Sequence, residues 1–261
     1  MRRVGSLLRK ASGVMLLLAA GASARPGGGD SLQVQAEAGD SSAGVLIRRA
    51  SLEGIGRIEG FFGLPFRRGV RVRVFPDRAS LTSYWRAAWG VPDLKAECWQ
   101  VASGTASLLS ILSPGRWKGE ACEHDPADTA GIGLLVAHEL VHVFHAQRNP
   151  RPEFDGMDDL GWLVEGLATY VSGQLEARHA KSAREAIDAG ADPRVLARAW
   201  SGRYRYGVAG SIVRYIDERY GREVLISLLA GTTQEEVLRT LGVKEEELLS
   251  RWRAWVLARD G

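Results

Sequence analysis

Cysteine is nearly absent from this chain: Cys98 and Cys122 are the only two in 261 residues. Two thiols are an incomplete set for a structural zinc site, so a Cys/His site with His124 is a minor alternative. Long-range charge imbalance is missing as well, with 34 Lys and Arg against 31 Asp and Glu and a formal net charge of +3. The arginines at 48–49, 67–68, 203 and 205 are interspersed with acids. That pattern describes solvated faces rather than a basic stripe, and no nucleic-acid partner is expected. No internal repeat is visible. What is present is 45% apolar content, enough for a chain of this length to bury a sizeable core as one domain.

The first residues stand outside that core. Arg2, Arg3, Arg9 and Lys10 precede an apolar stretch at 14–20, and Ala22-Ser23-Ala24 supplies a small-residue cleavage site before Arg25. This is the pattern of a removable signal peptide over residues 1–24. The apolar stretch is shorter than the roughly 20 residues a membrane helix needs, so no span is expected in the mature chain. No cysteine follows it, which disfavours a lipid anchor. Removing those four cations from 34 leaves 30 basic residues against 31 acidic ones, about −1 for the mature chain. Export favours a Cys98–Cys122 disulfide, with two buried thiols as the other outcome.

The densest chemical signal is His138-Glu139-Leu140-Val141-His142. The apolar run at 131–137 leads into it, and Leu134, Val141 and Phe144 are spaced to line one buried helical face. Asp128 or Thr129 can cap this helix, and Asn149-Pro150 ends it. Histidines at i and i+4 project from the same face, so both imidazoles can reach one zinc ion at about 2.0–2.1 Å. Glu139 sits beside that point, where a carboxylate can take a proton from a metal-activated water. A third ligand is still required. The metzincin continuation demands glycine at position 145 and histidine at position 148, where this chain has His145 and Arg148. A second apolar helix carries Trp162-Leu163-Val164-Glu165-Gly166-Leu167-Ala168-Thr169-Tyr170.

HELVH followed by WLVEGLATY resembles the gluzincins, the thermolysin- and aminopeptidase-type zinc peptidases, and most of all their small bacterial peptidase MA-like members. The resemblance spans about residues 71–242. It implies one zinc ion held by His138, His142 and Glu165, Glu139 as general base, and a peptide or protein substrate. In aminopeptidase-type members a tyrosine opening a later helix steadies the oxyanion. Tyr206 resembles it, though the lysine and glycine expected soon afterwards are missing, and Tyr204 competes for the role. No Gly-x-Met-Glu-Asn motif precedes HELVH, so the resemblance implies an endopeptidase or another specificity, not an aminopeptidase. A catalytically silent, zinc-stabilised binding protein is the alternative, and the intact Glu139 speaks against it.

The remaining pattern is simple. Residues 25–43 read as a flexible lead and 44–261 as the zincin-like domain. Residues 45–62 read as a helix, 69–75 as a strand of alternating valine and arginine, 81–89 as a short helix and 105–112 as a second strand. Asp158 or Asp159 is expected to cap the Glu165 helix. Helices at about 207–220, 222–231, 233–241 and 244–259 follow. The fold class is α+β, with a small N-terminal sheet, the HExxH helix and a helical bundle, which matches the gluzincin plan. By that resemblance, 108–112 is the candidate edge strand against which substrate pairs, an interior strand being the other reading. Thr169 could steady Glu165. His145 reads either as a support for His142 or as a core or surface histidine. His124 and His179 have no evident partner, and Trp162, Tyr170, Trp252 and Trp255 read as packing.

Overall fold

A computed structural model describes residues 32–37 and 40–259, so the proposed signal peptide lies outside the described residues. The chain is mixed α/β, a four-stranded sheet followed by a mostly helical C-terminal half. The strands are β1 (Leu32–Gln35), β2 (Val70–Phe75), β3 (Ala102–Gly104) and β4 (Leu109–Leu112), in the order β1-β2-β4-β3. β1, β2 and β4 run parallel, and β3 closes the far edge antiparallel to β4. In β2 the valines point inward while Arg71 and Arg73 face solvent, the period-two alternation expected of a half-buried strand.

Three sequence expectations need correction. The lead drawn over 25–43 contains β1, because Leu32 and Val34 alternate with glutamines and pair with Val70 and Val72. Residues 105–112 are not one strand. Thr105 N–H donates to the Leu108 carbonyl at 2.9 Å, turning the chain between β3 and β4. As a result the strand proposed to edge the cleft, β4, is interior, with β2 on one side and β3 on the other. The edge on the cleft side is β3, too short and too small-residued to stand out in the sequence.

Helix α1 (Ser41–Phe62) connects β1 to β2, and α2 (Arg78–Trp89) connects β2 to the β3–β4 hairpin. Asp77 caps α2 by accepting the Ser80 N–H at 2.7 Å. A short helix α3 (Trp117–Glu120) follows β4. The segment before β3 is stapled to the segment after α3 by the Cys98–Cys122 disulfide, with Cα atoms 5.2 Å apart. Closing a loop of 24 residues restricts the unfolded chain and stabilises the fold by about 3 kcal/mol.

The long helix α4 (Thr129–Ala146) runs behind the sheet against α1. By composition it is apolar enough to cross a membrane, yet 67% of it is buried inside the protein. Phe144 stacks on Phe62 at 4.6 Å, which fixes the end of α4 on α1. Helix α5 (Gly161–Val171) packs on both α4 and α8 (Arg205–Tyr220), with α6 (Gln174–Arg178) and α7 (Ser182–Asp188) linking them. Neither Asp158 nor Asp159 caps α5: a 3-10 turn over Asp158–Leu160 leads directly into it, and no side chain bonds its first amides. Gly166 is required where α5 meets α8, since a β-carbon there would stand 2.6 Å from the Ala209 carbonyl oxygen. Helices α9 (Arg222–Leu228), α10 (Gln234–Leu241) and α11 (Glu245–Arg259) complete the bundle. Trp252 of α11 is buried and donates its indole N–H to Ser211 at 3.0 Å, while Trp255 is only partly buried.

Candidate metal centre

The site is built where α4, α5 and β3 meet. Asp128 caps α4 by accepting the Gly131 N–H at 2.8 Å, which sets the register of the helix and so the direction of its polar residues. His138 and His142, one turn apart, face the same cleft with ring centroids 4.9 Å apart. Both are almost wholly buried, at 5% and 8% exposure. α5 brings Glu165 to them: its Oε2 lies 3.3 Å from His138 Nε2 and 3.7 Å from His142 Nε2.

Donor atoms of all three residues lie within 4.8 Å of one another. Ligands on a tetrahedral ion with bonds of about 2.0–2.1 Å are separated by roughly 3.3 Å, and the measured gaps of 3.3 and 3.7 Å fit that geometry. His138 Nδ1 lies 2.9 Å from Gln174 Oε1. When Nδ1–H donates to this amide oxygen, the Nε2 lone pair is turned toward Glu165, the orientation a metal-ligating histidine needs. The cluster of His138, His142 and Glu165 can therefore bind a metal ion.

Electrostatics set these residues apart from ordinary surface groups. For Glu165, burial pushes the pKa up, but the pull of His142 and His138 is stronger and leaves it below its usual value. Burial lowers His138, yet Glu165 and Glu139 outweigh it and hold the imidazole above its ordinary value. His142 is pushed down to about 4, mainly by burial. Glu139 stands beside the triad without joining it. Burial first, and Glu165 second among the raising influences, push its carboxyl up to about 7, against the pull of His138 and the Gly104 amide.

Gly104 is the reason β3 reaches this close. A β-carbon at that position would collide with the Glu139 carbonyl and stand 3.3 Å from His142 Cβ. The Val101 carbonyl and the Thr105 N–H both bond toward β4. By strand alternation the amides and carbonyls of Ala102 and Gly104 point the other way, into the cleft that both residues line.

The cleft has a volume of about 730 Å³ and contains the three donors, Glu139 and Tyr206. Tyr206, at the start of α8, stacks on His179 at 5.2 Å and 12°, meets Trp200 edge-on at 4.7 Å and lies 6.3 Å from the His138 ring. Burial and then Glu165 push its phenol up to about 12, so it stays a neutral O–H donor. Tyr204 lines a separate cavity of about 360 Å³ with Arg198 and Val208. Of the two tyrosines, only Tyr206 shares the cleft with the donors.

The other singled-out residues fall elsewhere. His145 is wholly buried against Phe154, 4.8 Å between rings, and burial pushes it down to about 3, so it is a neutral core histidine. Thr169 lays its methyl group against Gly210 of α8, and its buried hydroxyl makes no hydrogen bond to Glu165. Trp162 is buried, and Tyr170 bonds Asp217 through its hydroxyl at 2.9 Å. His124 lines the cleft and bonds the Trp99 carbonyl at 2.9 Å, with both cysteines committed to the disulfide. Arg205, read from the sequence as part of a solvated face, is half-buried in the cleft wall, and Gln174, Trp99 and Trp200 join it there through tertiary packing, none lying in the motif's periodicity. Comparison of the chain with models of known protein families, with functionally characterised proteins and with solved structures finds no match.

Proposed function

We propose that this protein is an exported zinc-dependent peptidase. The observation that carries the reading is Glu139: a buried carboxyl beside three converging metal donors but not one of them. The order HELVH then WLVEGLATY, resembling gluzincins, supports zinc as the metal and peptides as the substrate. The disulfide supports an oxidising, extracytoplasmic setting.

His138, His142 and Glu165 would hold the zinc ion, and Gln174 would fix the tautomer of His138. When bound, zinc supplies Lewis acidity that polarises a carbonyl and acidifies water. Glu139 accepts the proton of the attacking water at its carboxylate and returns it to the departing amine nitrogen. Tyr206 donates its phenolic O–H to the carbonyl oxygen as that oxygen gains charge. The outward amide and carbonyl of Ala102 and the Gly104 carbonyl pair with an extended peptide, adding a strand to the edge of the sheet.

Glu139→Gln tests this reading. The amide keeps the shape but cannot accept the proton, so zinc content should be unchanged while chelator-sensitive peptide hydrolysis falls by about 10²–10⁴-fold. Near-normal hydrolysis by this variant would sink the mechanism. A wild type that binds zinc and cleaves nothing in a broad peptide screen would favour the silent binding protein.

A further inference from the structure

The cleft wall is lined by six carboxylates besides Glu139 and Glu165, at Glu123, Asp125, Asp128, Glu153, Asp155 and Asp158. Its only Lys or Arg side chains are Arg178 and Arg205. Arg178 is neutralised by Asp128 at 2.5 Å. Arg205 differs: it has no carboxylate partner among the described residues, and bonds only the Gly202 carbonyl at 3.4 Å and the Tyr206 phenol. Its guanidinium instead sits among three aromatic rings, 5.1 Å from Tyr206, 5.6 Å from Trp200 and 5.8 Å from Trp99. Aromatic faces hold a cation in place without consuming its hydrogen-bond donors. Arg205 is therefore held in position with N–H donors left over for a ligand, next to the tyrosine that faces the metal donors.

Such a fork matches a carboxylate in shape and charge. Along the wall the unpaired carboxylates repel a substrate carboxylate, which favours Arg205 over the rest of the wall as its anchor. We infer that Arg205 anchors the free α-carboxylate of the substrate, making the protein a peptidase that trims peptides from their C-terminal end. The inference rests on the peptidase reading of the metal site. It also sets the cut. The guanidinium is 5.1 Å from the Tyr206 ring, and each extended residue spans about 3.3–3.6 Å. The scissile carbonyl beside Tyr206 therefore lies one or two residues before the anchored end. Water adds to that carbonyl, the C–N bond breaks, and Glu139 hands the proton to the departing nitrogen. The products are a shortened peptide with a new carboxylate and a free amino acid or dipeptide.

The test separates binding from turnover. Zinc-loaded protein carrying Glu139→Gln is titrated with a fluorescent pentapeptide ending in a free carboxylate and with the same peptide ending in an amide. The free acid should bind at least about tenfold more tightly, the scale of one charge-assisted pair. Adding Arg205→Gln should narrow that difference to less than about twofold, and Arg205→Lys should restore part of it. Equal affinity for acid and amide in the Glu139→Gln protein overturns the anchor without any Arg205 variant being needed. An acid preference that survives Arg205→Gln, with zinc content intact, overturns it too. With wild type, mass spectrometry should show one- or two-residue losses from the C-terminus, and internal cuts of acid and amide alike would refute the trimming. If the zinc-loaded wild type cleaves nothing while the acid preference persists and depends on Arg205, the anchor stands and the peptidase reading falls.

Discussion

Two acids on neighbouring helices, Glu165 of α5 and Asp217 of α8, are partly or wholly withdrawn from water, with side-chain exposures of 28% and 7%. Their surroundings differ in kind. Asp217 is closed off: Arg222 reaches both its oxygens at 2.6 and 2.7 Å, and the Tyr170 hydroxyl adds a third bond at 2.9 Å. Arg222 in turn lies 3.3 Å over the Phe61 ring and bonds the Phe61 carbonyl. Glu165 faces two imidazoles across 3.3 and 3.7 Å and opens onto a cleft. A carboxylate met by a guanidinium is satisfied and has only structure to contribute. A carboxylate met by imidazoles, which are metal ligands when neutral, can join them in holding a dication.

The sharpest way to break this contrast is to remove each acid in turn. Glu165→Ala should cut zinc affinity by on the order of 10²-fold or more, since even an outer partner of a ligand contributes 10- to 100-fold. Calorimetric titration checks it, and undiminished affinity would show that the donor triad is misassigned. Asp217→Ala should leave zinc affinity unchanged and destabilise the fold by about 2–3 kcal/mol, because Arg222 and the Tyr170 hydroxyl lose their partner. The lower end of the range for a broken ion pair applies, as Arg222 is 36% exposed. Denaturant unfolding measures this, and a loss of zinc instead would erase the contrast.

The next test is acid sensitivity, in chelated protein. His142 and His145 are held down to about 4 and about 3 in the fold, while an unfolded histidine titrates near 6.5. As pH falls from 6.5 toward 4, the unfolded chain takes up protons that the folded chain refuses, so stability drops. His138, raised by Glu165 and Glu139, works in the opposite direction. His145→Leu should shrink the loss between pH 7 and 4.5 by about 2 kcal/mol, read from melting curves across that range. An unchanged acid limb would mean that His145 is already protonated in the fold. The smallest expected effect is at Gln174→Ala, which takes the acceptor from His138 Nδ1. Zinc affinity should fall about tenfold with no change in the Asp217 cluster's contribution to stability.

Much of this site was legible in the sequence, for a local reason. His138 and His142 share one helix, and the i, i+4 spacing alone places them on one face. The apolar context of HELVH and the Asp128 cap made that helix readable. The valine–arginine alternation of 70–74 made β2 readable too. What failed were elements whose identity depends on a distant partner. β1 is four residues long and is a strand only because β2 offers it a ladder. β3 is Ala-Ser-Gly, with no strand propensity of its own. It pairs with β4 across a turn, and in doing so it takes the edge position that the longer apolar strand was expected to hold.

The sequence by itself determined the chemistry: which side chains can ligate, which carboxylate stands beside them, and that the two cysteines suit a bridge. Residue type and helical period are local properties, readable from neighbours in the chain. Only the tertiary structure decided which tyrosine joins them. Tyr204 and Tyr206 differ by two residues at a helix start, and the packing of α8 turns one into the cleft and the other into a separate cavity. It also decided that Gln174 orients His138, that Gly104 brings a strand edge onto Glu139, and that Arg205 stands among rings without a carboxylate. Each of these rests on contacts between segments far apart in the chain, where distance and direction come from the packed core.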